Sequence, residues 1–167
     1  RLIKGGKDAP VDASNTTPFT DLEDPTYNYA ISWAYSQGIV KGTSDTTFNP
    51  KGTITLQEAY TMLVRALGYE KDASLPYPFG YIEVAESKNV SLNDNIDVAY
   101  KDTLTRGNMA ILLYNTFFAE TGIAEIKEGY KWIGNETTGN WVATKVEEYP
   151  TFCEKYFGVI EAEYQAI

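Results

Sequence analysis

Histidine is absent from this chain of 167 residues. Its absence removes the commonest general base and a common neutral metal ligand. A single cysteine, Cys153, excludes any intramolecular disulfide. Set among Phe152, Tyr156 and Phe157, it reads as a small buried hydrophobe. Positive charge is scarce: 14 Lys and Arg stand against 23 Asp and Glu, for a net charge of −9. That disfavours nucleic acid, whose affinity comes mostly from cations on phosphates. The acidity itself reads as solubility. No apolar run approaches the ~20 residues of a membrane span, and no stretch has the pattern of a signal peptide. No nucleophile is set beside a base, and no pair of carboxylates is marked out by a motif. Catalysis, a metal centre and a cofactor are therefore not expected.

What is present is an internal repeat. Ile54-Thr55-Leu56-Gln57-Glu58-Ala59 runs into Met62-Leu63-Val64-Arg65-Ala66-Leu67. About fifty residues later, Leu104-Thr105-Arg106-Gly107-Asn108-Met109 runs into Leu112-Leu113-Tyr114-Asn115-Thr116-Phe117. Upstream of each, Ala30-Ile31 through Gly38-Ile39 matches Tyr81-Ile82 through Asn89-Val90. Two matched elements in one order make a repeated module, and such modules bind or scaffold more often than they catalyse. Aromatic residues make up 14% of the chain, 13 of them tyrosine, a composition that suits sugar or protein contact as well as a core.

Local signals place the elements. Arg1 to Gly6 reads as a helix end with a glycine stop, and residues 7–18 as a linker. Asp24-Pro25 opens a helix carrying Tyr27, Ala30, Ile31, Ala34 and Tyr35 at helical spacing, stopped by Gly38. Thr55-Leu56-Gln57-Glu58 is a capping box, which makes Glu58 structural before it is anything else. A further helix runs from about Gly80 to Lys88, and Thr105 caps the next with Asn108 as the weaker third-position partner. Asn93-Asp94-Asn95-Ile96-Asp97 alternates oxygen ligands like a calcium loop. It lacks the glycine of the sharp turn and the distal glutamate, so no metal is expected there. Arg106 sits on a first helical turn, where the dipole opposes a cation. Two readings stay open for it: a solvated or salt-bridged arginine, or an anion grip beside free backbone N–H groups. Residues 129–139 read as loop, and Lys145 to Phe157 as a helix interrupted early by Pro150. Ile160 to Ala166 alternates like a strand.

Phe19-Thr20-Asp21, Tyr27, Ala30-Ile31, Gly38-Ile39-Val40-Lys41-Gly42, Phe48-Asn49-Pro50 and Thr55-Leu56-Gln57-Glu58 follow one another in the order of a known pattern. That pattern resembles the S-layer homology domain over roughly residues 19–118. The resemblance implies a mainly α fold, with tandem helical repeats packed as a pseudo-threefold bundle. The division is then a tail helix of a preceding copy at 1–6, a linker at 7–18, a repeat at 19–70 and a divergent repeat at 75–118. A C-terminal extension at 119–167 adds a strand or begins another domain. The resemblance further implies an extracellular, non-catalytic module in the cell wall or S-layer. Such a module holds a surface protein to secondary cell-wall polysaccharide, with acidic sugars such as pyruvylated ones gripped by an arginine. Thr105-Arg106 carries that arginine here, Asp21 and Gly42 the polar and backbone contacts, and Tyr27 the ring packing. Leu56 stands where the other copy's arginine belongs. The competing expectation is a structural segment with degenerate sugar sites, associating with itself or with S-layer neighbours.

Overall fold

The computed structural model describes residues 16–92, 96–123, 125–135 and 140–157. Its organising element is helix α2, Leu56–Leu67, because apolar residues occupy more than one stripe of it. Leu56, Ala59, Tyr60, Leu63, Val64, Ala66 and Leu67 are all buried, so the helix is covered on several sides. Before it comes α1, Pro25–Ser36; after it come α3, Phe79–Ser87, and α4, Arg106–Phe118. α2 packs most extensively on α3 and also meets α4. Ile39, Ile82, Val84, Ala85, Val90 and Leu112 complete the buried cluster, with Trp33 and Ala34 of α1 partly buried against it.

The termini of α2 form as the sequence predicts. The reciprocal capping box is present. Glu58 Oε2 accepts the Thr55 backbone N–H at 2.8 Å and the Thr55 hydroxyl at 2.7 Å. At the other end Gly68 takes a left-handed conformation, φ 87°. Its N–H donates to Arg65 O and that of Tyr69 to Val64 O, each at 3.0 Å. Gly68 has no room for a side chain: a Cβ there would lie 2.6 Å from Ile123 Cγ1, where the chain returns and Gly122 N–H donates to Leu67 O.

The two repeats join edge to edge. Thr55 and Thr103 form an antiparallel bridge. Leu56 N–H donates to Asp102 O at 3.1 Å, Gln57 N–H to Tyr100 O at 2.9 Å and Leu104 N–H to Ile54 O at 2.8 Å. The approach to the second repeat's helix thus covers the N-terminus of the first repeat's helix.

Beyond α4 the structure departs from the expectation. Strands β1, Glu125–Asn135, and β2, Asn140–Glu148, form a two-stranded antiparallel sheet. Residues expected as loop, from 129 onward, are therefore largely strand. The interrupted helix over Lys145–Phe157 reduces to α5, Phe152–Phe157. Val142, Thr144 and Val146 are β-branched, and Val142 pairs with the β-branched Ile133 across the hairpin, a composition that favours pairing over helix. Pro150, which lacks a donor, stands between strand and helix. α5 begins with a second capping box: Glu154 Oε2 accepts Thr151 N–H at 2.8 Å and its hydroxyl at 3.0 Å. Phe152, 2% exposed, enters the core, and its N–H donates to Ala119 O at 2.9 Å. The expected tail helix at 1–6, the linker up to residue 15, Asn93–Asn95 of the calcium-like loop and the strand at 160–166 lie outside the described residues.

Candidate functional site

Phe19 starts the construction of a cleft. Its buried ring stands edge-on to Tyr35 at 5.1 Å between centroids and meets Phe48 at 5.4 Å. Two residues on, the Asp21 carboxylate accepts Phe48 N–H at 2.9 Å and Asn49 N–H at 2.7 Å. These backbone donors, Phe48 first and Asn49 second, hold the Asp21 carboxyl below its ordinary pKa. Asp21 thereby ties residues 19–21 to the far end of the 41–50 loop. Within the loop, Thr43 N–H donates to Thr47 O at 2.8 Å, and the Ser44 and Thr47 hydroxyls lie 2.6 Å apart. Gly42 makes the turn at φ 81°, where a Cβ would stand 2.7 Å from Thr47 O and run into the Phe19 ring. Only glycine fits there.

Between this loop and α2 lies a cleft of about 420 Å³, within the range of small-ligand sites. One wall is Val40 to Thr43; the floor is Phe48, Asn49 and Pro50; the other wall is Glu58, Thr61, Met62 and Arg65, with Tyr77 at the rim. Burial, then the nearby Glu58 charge, push the Tyr77 hydroxyl above its ordinary pKa. Apolar surface, an amide, a carboxylate, a phenol and two cations thus converge in one depression.

The cations are held from outside the cleft. Glu70 Oε1 accepts from Lys41 Nζ at 2.8 Å, from Arg65 Nε at 3.0 Å and from the Tyr81 hydroxyl at 3.0 Å. The Arg65 guanidinium also lies 5.2 Å from the centre of the Tyr81 ring. The Lys41 hydrogen bond, supported by Tyr81 and Arg65 against the cost of burial, brings Glu70 down to about 2. One carboxylate oxygen thus joins the loop, the end of α2 and α3.

The residues expected to bind ligand are not gathered in one place. Gly42 lines the cleft. Asp21 shapes it from behind through Phe48 and Asn49. Tyr27 is 60% exposed on α1 and does not line it. Thr105 and Arg106 stand at the start of α4, where the Thr105 hydroxyl accepts Asn108 N–H at 3.2 Å. Arg106 is exposed and makes no hydrogen bond or ion pair among the described residues. Leu56, at the matching position of α2, is 3% exposed in the core.

Sequence reasoning missed the Arg65–Glu70–Lys41 junction, which has no fixed spacing to reveal it. It also missed Thr151-Phe152-Cys153-Glu154, whose signal was available: the spacing repeats Thr55-Leu56-Gln57-Glu58. Among the described residues, no cluster of His, Cys, Asp or Glu is built to hold a metal ion. No described helix is long and apolar enough to cross a membrane.

Comparison with known proteins bears on this cleft directly. Residues 18–59, which supply Phe19, Asp21, the loop and the start of α2, match the S-layer homology domain. Over residues 18–59 the chain is similar to an S-layer homology domain. A cell surface protein of Thermoanaerobacter kivui is 27% identical over 117 residues, covering 70% of this chain and 14% of that protein. A middle cell wall protein of Brevibacillus brevis is 33% identical over 103 residues, 61% of this chain and 9% of its own length. An endoglucanase of a Bacillus species is 32% identical over 114 residues, 62% and 12% respectively. The chain thus spans a small fraction of each relative. No solved structure gives a significant match. S-layer homology domains are non-catalytic anchoring modules, and the match to the endoglucanase lies in a segment covering only 12% of it.

Proposed function

We propose that this segment anchors a surface protein to the cell wall by binding secondary cell-wall polysaccharide, pyruvylated or otherwise acidic. The observation that carries this reading is the coincidence of the S-layer homology match with the residues that build the cleft. The relatives named as cell surface and cell wall proteins support the same location, outside the cell and in the envelope. In this reading Gly42, Asn49 and Tyr77 meet the sugar in the cleft, and Asp21 keeps the loop in shape. Arg106, exposed beside Thr105, grips an acidic substituent at the second repeat, and Tyr27 packs against a ring on the outer side. Weak sites on linked repeats add by avidity. A third copy would complete a pseudo-threefold bundle around these two.

The test is co-sedimentation of the purified chain with Gram-positive sacculi, before and after the secondary polysaccharide is stripped. Binding that disappears on stripping is the expected result. No binding, or binding indifferent to stripping, refutes the proposal.

A second reading has one observation in its favour. Leu56 is buried, and its N–H is held by Asp102 O, so the first repeat offers no arginine and no free amide at that helix start. In this reading the segment scaffolds a lattice. Concentration-dependent assembly by light scattering, without wall binding, is its signature.

A further inference from the structure

One end of the cleft beside α2 holds more positive charge than its acid neutralises. Lys41 and Arg65 both line it, and both are bonded to a single carboxylate oxygen, Glu70 Oε1. Two cations share one acid, which leaves a positive charge over in a protein that carries −9 overall. Glu58 also lines the cleft, but it is engaged at the start of α2, where its Oε2 accepts the N–H and the hydroxyl of Thr55. Two turns of helix, about 10 Å, separate it from Arg65. The Arg65 side chain is only 14% exposed. Its Nε donates to Glu70 and its Nη2 to the Tyr81 hydroxyl. Its Nη1 makes no hydrogen bond among the described residues and is not sealed from solvent. Beside it, the exposed Tyr77 ring stands edge-on to Tyr81 at 6.3 Å. Burial and then the Glu58 charge raise the pKa of the Tyr77 hydroxyl, and the Arg65 charge opposes them. The guanidinium is therefore within electrostatic reach of the cleft's rim.

The second repeat shows that this arrangement is particular to the first. Fifty residues on from Arg65, as Leu104 follows Ile54, stands Asn115. Its Nδ2 donates to Ser91 O at 2.7 Å, so a neutral amide fastens that loop to its helix. Helices α2 and α4 each contain one arginine, Arg65 and Arg106. Arg106 stands at the helix start, where the first repeat has the buried Leu56. We propose that Lys41 and Arg65 read a carboxylate on the sugar held in the cleft, Arg65 through its free Nη1 and Lys41 from the exposed loop, with the Tyr77 ring against the pyranose. Glu70 is then an internal competitor: it orders the two cations and holds down their affinity for a ligand's anion. The first repeat keeps an acid-reading site in this way without an arginine at its helix start. The inference rests on the proposed polysaccharide binding and adds the residues that select the ligand's charge.

Surface plasmon resonance of the full chain tests it on secondary polysaccharide released from Gram-positive sacculi. The reference is the same polymer with its carboxyl groups reduced to alcohols. Variants are made in an Arg106→Ala background, so that the second repeat's arginine adds nothing. That background should still prefer the acidic polymer. Lys41→Gln, at an exposed side chain, and Arg65→Gln should each weaken binding to the acidic polymer about tenfold and leave binding to the reduced polymer unchanged. Glu70→Gln should tighten binding to the acidic polymer several-fold, although it lowers the melting temperature. A junction that only holds the loop in shape would give the opposite sign, because Glu70→Gln would then weaken binding to both polymers. That result overturns the inference, as does parent-like binding by Lys41→Gln, or an Arg106→Ala chain with no preference for the acidic polymer; in each case polysaccharide binding itself stands. No binding of the parent chain to either polymer overturns the anchoring reading, and this inference with it.

Discussion

Asn89 holds the backbone conformation that Gly38 holds one repeat earlier. Gly38 has φ 71° and Asn89 φ 57°. The residue after each is buried and donates back to an alanine carbonyl: Ile39 to Ala34 at 2.9 Å, Val90 to Ala85 at 2.8 Å. The second copy therefore keeps the geometry of the helix stop while losing its glycine, because asparagine tolerates the left-handed region better than most residues. Asn89→Ala should lower stability by about 1 kcal/mol, and Asn89→Gly should match or exceed the parent. Chemical denaturation of the three proteins checks the order.

Glu70 links three elements through one oxygen, and its low pKa gives that link a pH window. Its carboxyl falls from an ordinary 4.5 to about 2 in the folded protein. A depressed folded pKa means the stabilisation is fully present above the unfolded value and is lost as pH falls through 4.5 toward 2. Because the side chain is 42% exposed, solvent screening reduces the contribution to about 1 kcal/mol. Glu70→Gln should melt below the parent at pH 7. The gap should close as pH falls through that window. A gap that stays constant down to pH 2 would assign the effect to shape and not to charge.

Leu56 and Arg106 occupy matching positions and should respond in opposite ways. Arg106 is exposed and without a described partner, so Arg106→Ala should leave the melting temperature unchanged while weakening sedimentation with sacculi. Leu56→Arg places a cation where a 3% exposed leucine now packs, and should cost about 3 kcal/mol or more. It should unfold the segment before it restores any grip. Thermal melts of the two variants, run beside the binding assay, separate fold from site.

The helical part of the fold was legible because its signals are local. The capping box at Thr55, the glycine after Leu67 and the apolar spacing of α2 all act within a few residues. The hairpin was not, because Thr and Gly residues around 134–139 resemble a loop when strand pairing is unseen, and pairing is a contact between distant residues. The candidate site was half legible. Gly42, which lines the cleft, and Asp21, which shapes it through Phe48 and Asn49, were named only by the resemblance to the S-layer homology pattern. Arg65 and Tyr77 enter only through the approach of α2 to the chain before α3, which no single motif records. The second capping box shows the opposite failure: Thr151 and Glu154 were readable, but a helix drawn from Lys145 hid them.

That box carries the last prediction. Thr151 and Glu154 repeat the capping geometry of Thr55 and Glu58, and between them Phe152 reaches the core beside Phe117, 6.2 Å between ring centres. Thr121 N–H and Phe152 N–H bond to Pro150 O and Ala119 O, each at 2.9 Å. α5 is therefore fastened to the end of α4 by both backbone and side chain. Thr151→Ala should cost about 1 kcal/mol through the cap. Phe152→Ala should cost about 3 to 5 kcal/mol, since the ring is fully buried. If the extension is part of the cooperative unit, both losses appear in a single transition followed by circular dichroism at 222 nm. A parent-like main transition in Phe152→Ala, with early cleavage after Glu148 by a glutamyl protease, would instead show that α5 only rests on a body that folds without it.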